Sequence, residues 1–389
     1  MLDYQFAMNL RTIVETTKLN TYALQASDLK YQRFARVLPG INAQQYRLIA
    51  MQEGAVILED VGPFGGKVSF VDQEPVSVLY ENHFFTGGWK MHEQKFKDVD
   101  SATGIIGGYG INALNIWTAD ATTKAAYQPQ KLAMLALKNG EGTSFTTDNG
   151  HTFSLVGFDG LPIFHTAHPY YYGHASKGTF SNLLSGAAVA GTATSSGHPG
   201  FKPLAGPFVK NSGTGVWEYS AGASVSLQDG YDNLWDVITY YTGIKKSDGE
   251  MPGFLKPDFI FGSQKLRKQV TTILNAQFIG GNISTTGGST EIAGTITTLG
   301  MNEPEFYAEL NTGTASDYDW YLGCSANMKQ DKVGAINLGT SIPWNVNLYT
   351  SATIPDLRVS KEVKAMGEMR SYVGAGQSKY ILKNKAPTS

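Results

Sequence analysis

The stretch Phe158-Asp159-Gly160-Leu161-Pro162-Ile163-Phe164-His165-Thr166-Ala167-His168-Pro169 places an Asp-Gly turn between two apolar runs. That dipeptide is a strong hairpin signal, because glycine takes the positive φ of a tight turn and aspartate bonds to the backbone just beyond it. The alternation spans His151 to His165, with Phe153, Leu155 and Val156 on one arm and Leu161, Ile163 and Phe164 on the other. A paired β segment is expected in mid-chain, followed by a His168-Pro169 exit.

On its N-terminal side lies a helical pattern. Ile111, Leu114, Trp117, Ala121, Ala125, Leu132 and Leu135 recur at three- or four-residue steps, and Gly140 is placed to end the run. Pro129 lies inside it, so about 25 to 30 residues of bent or broken helix are expected. Between 51 and 97 the period is two. Ala55-Val56-Ile57-Leu58 and Val68-Ser69-Phe70-Val71 flank a Gly-rich turn at 62–66, and Thr86-Gly87-Gly88 separates Val76-Ser77-Val78-Leu79-Tyr80 from Trp89-Lys90-Met91. These spacings predict a long protruding β-loop. Residues 1–50 read as an arm with short helices, one face being Phe6, Leu10, Ile13 and Val14 and another Leu29, Phe34, Val37 and Leu38, before Pro39-Gly40. Neither face has neighbours enough for a core of its own, so burial elsewhere, on an adjacent subunit, is expected.

Beyond the hairpin, Leu234 to Tyr241 and Ser263 to Leu274 have helical spacing, and Phe259-Ile260-Phe261 reads as a buried strand. Residues 185–198 and 279–300 are Gly/Ser/Thr-rich and read as surface loops or loosely specified hairpins. Strands return at Phe306 to Leu310, Trp320 to Cys324, Asn345 to Tyr349 and Tyr372-Val373. The class is α+β: arm, β-loop, long helix, mixed α/β region, closing strands, without an internal repeat.

Composition bounds the function. Of 389 residues, 42% are apolar and only 16% charged, below the roughly 25% of ordinary soluble domains. With 20 Tyr, 19 Phe and 10 Met, that balance suits large protein–protein contacts, as well as a Gly-rich β protein whose 44 glycines serve turns. The net charge of −2 gives no polycationic character. Residues 1–50 carry six Lys/Arg against three Asp/Glu and residues 356–389 seven against three, so the ends are mildly basic and the middle acidic. Cys324 has no partner for an internal disulfide and reads as a buried small hydrophobe. The start Met1-Leu2-Asp3-Tyr4-Gln5 lacks a basic-then-apolar leader pattern, and no run approaches 18 apolar residues, so a soluble, cytoplasmically made chain without membrane contact is expected.

Five of seven histidines, His151, His165, His168, His174 and His198, fall within 48 residues. Asp159, His165, His168 and His174 are the candidate set for a metal-dependent hydrolase. An HxxH pair at a hairpin end lacks the helical spacing and the general-base glutamate of a zinc signature, so histidines hydrogen-bonding within a polar loop are the plainer reading. No Gly-x-Ser-x-Gly elbow occurs, and Gly104-x-x-Gly107-Gly108-x-Gly110 lacks the Gly-Lys-Ser/Thr of a phosphate loop. Arg358, Lys361, Lys364, Arg370, Tyr372, Lys379 and Tyr380 interleave charge with aromatics, as single-strand binders do and as a strand with a charged outer face also does. No catalytic residue, cofactor or metal site is expected, and the chain does not read as an enzyme.

The segment from Phe158-Asp159-Gly160 through Phe164 to His168-Pro169, with Ser181-Asn182-Leu183 after it, resembles the Mu-like prophage major head subunit T family. The ending from Lys361-Glu362-Val363 to Tyr372-Val373-Gly374-Ala375-Gly376 is similar to that family's closing strand and turn. Together these motifs span about a tenth of the chain. The resemblance implies a tailed-bacteriophage major capsid protein with the Hong Kong 97-type capsid fold. Residues 1–50 would be the N-terminal arm, 51–97 the E-loop, 98–150 the P-domain spine-helix region, 151–339 the A-domain and 340–389 the P-domain C-terminal strands. It further implies hexamers and pentamers in an icosahedral virion shell, assembled in the bacterial host cytoplasm, enclosing double-stranded DNA contacted non-specifically, with portal, scaffold and decoration proteins as partners. Lys67 and Lys90 fall where some relatives carry a crosslinking lysine, but no partner Asn or catalytic acid can be placed, and no crosslink is assigned. An encapsulin-like compartment shell is the alternative that keeps the fold.

Overall fold

The longest helix, α2 (Gly108–Lys138), runs 31 residues, about 46 Å at 1.5 Å per residue. In this computed structural model the described residues are 4–26, 31–38, 45–51, 75–98, 108–171, 178–186, 198–246, 249, 252–275, 301, 303–331, 334–350 and 361–387. Pro129 neither ends nor interrupts α2, so of the bent or broken helix expected the broken form is excluded. It removes one bond of a long ladder, while Ala125 and Ala126 before it and Leu132 and Ala133 after it are buried and hold both halves in place. The stop after Lys138 does use Gly140, through close approach: a Cβ there would meet the Phe164 ring at 2.7 Å.

α2 packs against a four-stranded sheet ordered β1 (Ala35–Leu38), β15 (Ile336–Tyr349), β16 (Glu362–Ala375), β4 (His83–His92). β15 and β16 form a long antiparallel hairpin, β1 lies parallel to β15, and β4 antiparallel to β16. The terminal helix α1 (Tyr4–Ala26) lies against α2. Leu10 and Val14 of α1 share a core with Phe96, Leu114, Val346, Val363 and Ala365, edged by Trp89, Trp117 and Trp344.

Several expectations are corrected. The first fifty residues contain one 23-residue helix in place of short ones, and its apolar face is buried on the chain's own α2 and sheet. The second apolar segment is strand β1, in which Phe34 precedes the strand fully buried while Val37 is 48% exposed; Leu29, Pro39 and Gly40 lie outside the described residues. Thr86-Gly87-Gly88 is the middle of β4 and not a turn. Gly87 pairs with Gly367 of β16, and the Trp344 ring lies over both: a Cβ at Gly367 would overlap it, and one at Gly87 would sit 3.8 Å away. The glycines admit a tryptophan whose Nε1 donates to Thr122 of α2 at 3.2 Å, tying sheet to helix. β4 is therefore a sheet strand and no part of a protruding loop. A two-stranded ribbon remains, β2 (Gln45–Met51) with β3 (Pro75–Glu81). The turn at 62–66 and its flanks at 55–58 and 68–71 lie outside the described residues.

A second lobe is built on a five-stranded sheet, β13 (Glu305–Tyr307), β12 (Phe259–Ser263), β14 (Trp320–Gly323), β17 (Ile381–Asn384), β9 (Leu183–Leu184). β12 is buried along its whole length, as its apolar run predicts, and Phe261 stacks on Tyr321 at 4.8 Å and on Phe34 at 5.0 Å. Around it pack α3 (Leu227–Thr242), α4 (Arg267–Asn275) and α5 (Ser325–Asp331). α3 starts where Ser226 Oγ accepts from the Asp229 amide at 3.0 Å, and it buries Leu234, Val237, Ile238 and Tyr241. The helical stretch from Ser263 begins instead as the last residue of β12 and one 3-10 turn before α4. Although it follows the long hairpin in sequence, β17 pairs within this second sheet.

Small ribbons complete the chain: β5 (Ser144–Thr146) with β6 (Thr152–Ser154), β7 (His168–Pro169) with β8 (Thr179–Phe180), and β10 (Phe208–Lys210) with β11 (Trp217–Tyr219). The Asp159-Gly160 hairpin is narrower than expected. Val156 and Pro162 form its single bridge, while Phe153 pairs with Phe145 in the preceding ribbon.

Candidate functional site

The motif stretch is held by its own turn. Gly160 takes φ +77°, the Gly157 amide donates to the Leu161 carbonyl at 2.8 Å, and the Leu161 amide donates to Asp159 Oδ1 at 3.1 Å. Asp159 Oδ2 meets His168 Nδ1 at 2.5 Å, both side chains being sealed from solvent. The His168 ring also stacks on Phe180 at 5.4 Å, and Pro169 pairs with Thr179. Phe158 packs with Leu38, Val78, Tyr80 and Tyr372 beneath the β2–β3 ribbon. Phe164 packs in the main core, its amide donating to the Gly140 carbonyl at 2.8 Å.

Asn182 and Ser181 extend the clasp. Asn182 Nδ2 donates to the carbonyls of Ile163 (2.6 Å) and Ser378 (2.9 Å), and its Oδ1 accepts from the His165 amide at 2.9 Å. Tyr240 of α3 donates to the Ser181 carbonyl at 2.9 Å and accepts from its amide at 3.0 Å. The residues that resemble the head-subunit motif thus join the end of α2, the second sheet, α3 and the C-terminal segment.

The histidines do not converge. His151 lies beside His83, ring centroids 4.9 Å apart, and His198 Nδ1 accepts from the Gly200 amide at 3.2 Å. His165 contacts His168 at 5.8 Å, and burial, then the neighbouring imidazole, hold it below the usual histidine value. His174 lies outside the described residues. No group of three His, Cys, Asp or Glu side chains among the described residues is arranged to hold a metal. Cys324 is buried under Tyr241, and burial pushes its thiol far up, opposite to an activated nucleophile. Arg370 of the interleaved C-terminal run lies over the Phe84 ring at 3.8 Å and Tyr372 is fully buried, which is strand packing; Arg358 is outside the described residues.

A buried charge cluster escaped the sequence reading. Lys383 of β17, 4% exposed, places Nζ 2.8 Å from Glu141 and 3.0 Å from Asp319, between the rings of Phe164 and Tyr321. Burial alone would lower its ammonium value, but Tyr321, Asp319 and Glu141 outweigh it and raise it. A lysine directly after the apolar pair Ile381-Leu382 is the signal that was available.

Large apolar side chains also stay in solvent on the extended elements: Leu19 on α1, Tyr109 and Ile116 on α2, Ile49 and Leu79 on the β2–β3 ribbon. Ile116 is 71% exposed. In the ribbon register Leu79 opposes Arg47 and Ser77 opposes Ile49, so Ile49 and Leu79 are diagonal neighbours on the outer face. No described helix is long and apolar enough to cross a membrane.

No family model matches the sequence, and no curated protein matches it. Among solved structures the chain is similar to a subunit of the procapsid of bacteriophage JBD30, at 11% identity over 100% of this chain and 77% of that one, with a TM-score of 0.41. It is also similar to the capsid of Myoviridae phage XM1, at 10% identity over 92% and 90% with a TM-score of 0.45. The mature capsid of bacteriophage PhiM1 is similar at 8% identity over 92% and 87%, with a TM-score of 0.43.

Proposed function

We propose that this chain is the major capsid subunit of a tailed bacteriophage, one of many copies that assemble as hexamers and pentamers into an icosahedral shell around double-stranded DNA. In this reading residues 1–50 hold the arm, the E-loop of 51–97 ends before β4, which joins 98–150 and 340–389 in the P-domain, and 151–339 are the A-domain, β17 crossing back into the sheet of the last. The observation that carries it is the contrast between interior and surface. The described histidines of 151–198 and Cys324 are engaged in packing or local hydrogen bonds, while the outer faces of α1, α2 and the β2–β3 ribbon keep large apolar side chains in solvent.

A two-stranded ribbon is marginal on its own, and one with a second apolar face is suited to lie on another copy. Symmetry then repeats the same contact around a closed shell. The order of elements, with a long helix crossing a long hairpin beside a separate α/β lobe, is the order the head-subunit resemblance implies. The mildly basic ends suit non-specific contact with packaged phosphate. Scaffold, portal and decoration proteins complete the particle, and no catalytic role is assigned.

Light scattering on the full chain, purified without partners, tests this reading. The expected result is particles the size of rings or shells, reduced toward single subunits by Ile49→Asp with Leu79→Asp while the melting curve of the subunit is kept. Single compact subunits at every concentration would overturn it.

A further inference from the structure

The outer edge of β1 is open: among the described residues no strand pairs it on the side away from β15. Beside it runs a groove of about 440 Å³, lined by β1, the turn before it and α5. Its buried floor is apolar, from Tyr31, Ala35 and Met328, and Val37 stands exposed at its margin. Its charged lining is of one sign: Arg33, Arg36 and Lys329, with no carboxylate. Arg33 pairs with Glu305 at 2.9 Å, whereas Arg36 and Lys329 have no carboxylate partner among the described residues. This cationic excess runs against the chain's net charge of −2.

A sheet edge presents free N–H and C=O groups that accept another strand; β1 is short and carries no proline, and its one charge, Arg36, repels a cationic strand but suits an acidic one. We propose that this groove binds an extended acidic segment of a partner protein, which adds to the outer edge of β1 as a further strand. Alternate side chains of such a segment fall on the two faces, so apolar residues reach the floor and Val37 while carboxylates meet Arg36 and Lys329. Backbone pairing supplies affinity, and the two unpaired cations select sign. A nucleic acid satisfies the charges but not the edge, because it carries no strand of alternating amide donors and acceptors. The groove does not depend on the shell reading, since its features belong to a single subunit.

The test is fluorescence anisotropy of a labelled, end-blocked Val-Glu-Val-Glu-Val-Glu peptide titrated with the full chain. Saturable binding is expected, weakened about tenfold by Lys329→Glu and by Arg36→Glu, and weakened by added salt. The same peptide with its central valine amide methylated, or with lysine for glutamate, is expected to lose binding. Lys329 is exposed on α5, so its variant reports on binding without disturbing the half-buried Arg36. The proposal is overturned by an absence of saturable binding, by equal binding of the methylated peptide, by indifference to Lys329→Glu, or by a short single-stranded oligonucleotide that displaces the peptide at lower concentration.

Discussion

Asp159 Oδ2 and His168 Nδ1 meet at 2.5 Å across the turn that joins the end of α2 to the second lobe, and neither side chain reaches solvent. With Oδ1 of the same carboxylate capping the Leu161 amide, one aspartate fixes both the turn and the exit strand. Asp159→Ala therefore leaves a buried imidazole and a backbone amide unpaired, and a loss of about 3 kcal/mol is expected by chemical denaturation. His168→Ala is expected to cost a similar amount, and the double variant less than the sum of the two. Additive losses would show that the pair does not act as a unit.

Gly367→Ala places a Cβ inside the Trp344 ring, so the sheet must part from α2 or the tryptophan must leave Thr122. A destabilisation of about 1 to 3 kcal/mol is expected. In a Trp344→Leu background the same substitution should cost much less, which thermal melts of the four proteins would show.

How far the sequence carried can be seen at this contact. The 3.6-residue period of α2 and the apolar run of β12 are local signals, and both elements appear where the spacing puts them. Gly87-Gly88 carries the local signal of a turn, yet its cause is Trp344, distant in sequence and adjacent only once β16 has paired with β4. Pro129 was overruled by burial on both sides. The Asp159-Gly160 turn and its His168-Pro169 exit were legible, but Asn182, Tyr240 and Ser378, which lock them, meet only in the folded chain.

Lys383 should be the costliest single cation to remove. Lys383→Met leaves Asp319 buried with only the Ala386 amide, while Glu141 keeps Lys385. Burial already pushes the Asp319 carboxyl up, and the substitution removes its main offset. A loss of about 3 to 5 kcal/mol is expected at neutral pH. It should shrink in Lys383→Met with Asp319→Asn, and an unchanged cost in the double variant would argue against the pair.

Stability should fall on mild acidification. Burial holds His83, His165 and His198 below the usual histidine value of 6.5, with His151 adding to the effect at His83 and His168 at His165. The unfolded chain then binds more protons than the folded one, so this contribution is complete above pH 6.5 and is lost as the pH falls below it toward the folded values. Denaturation midpoints measured across that window should decline, and His83→Gln should flatten part of the decline. A midpoint that rises on acidification would contradict the assigned direction.

Electron microscopy of the full chain expressed alone tests the shell assignment most directly. Closed shells, or rings of five and six subunits, built from repeated copies of this one chain are expected. A field of uniform single subunits, unchanged by concentration or by salt, would contradict it.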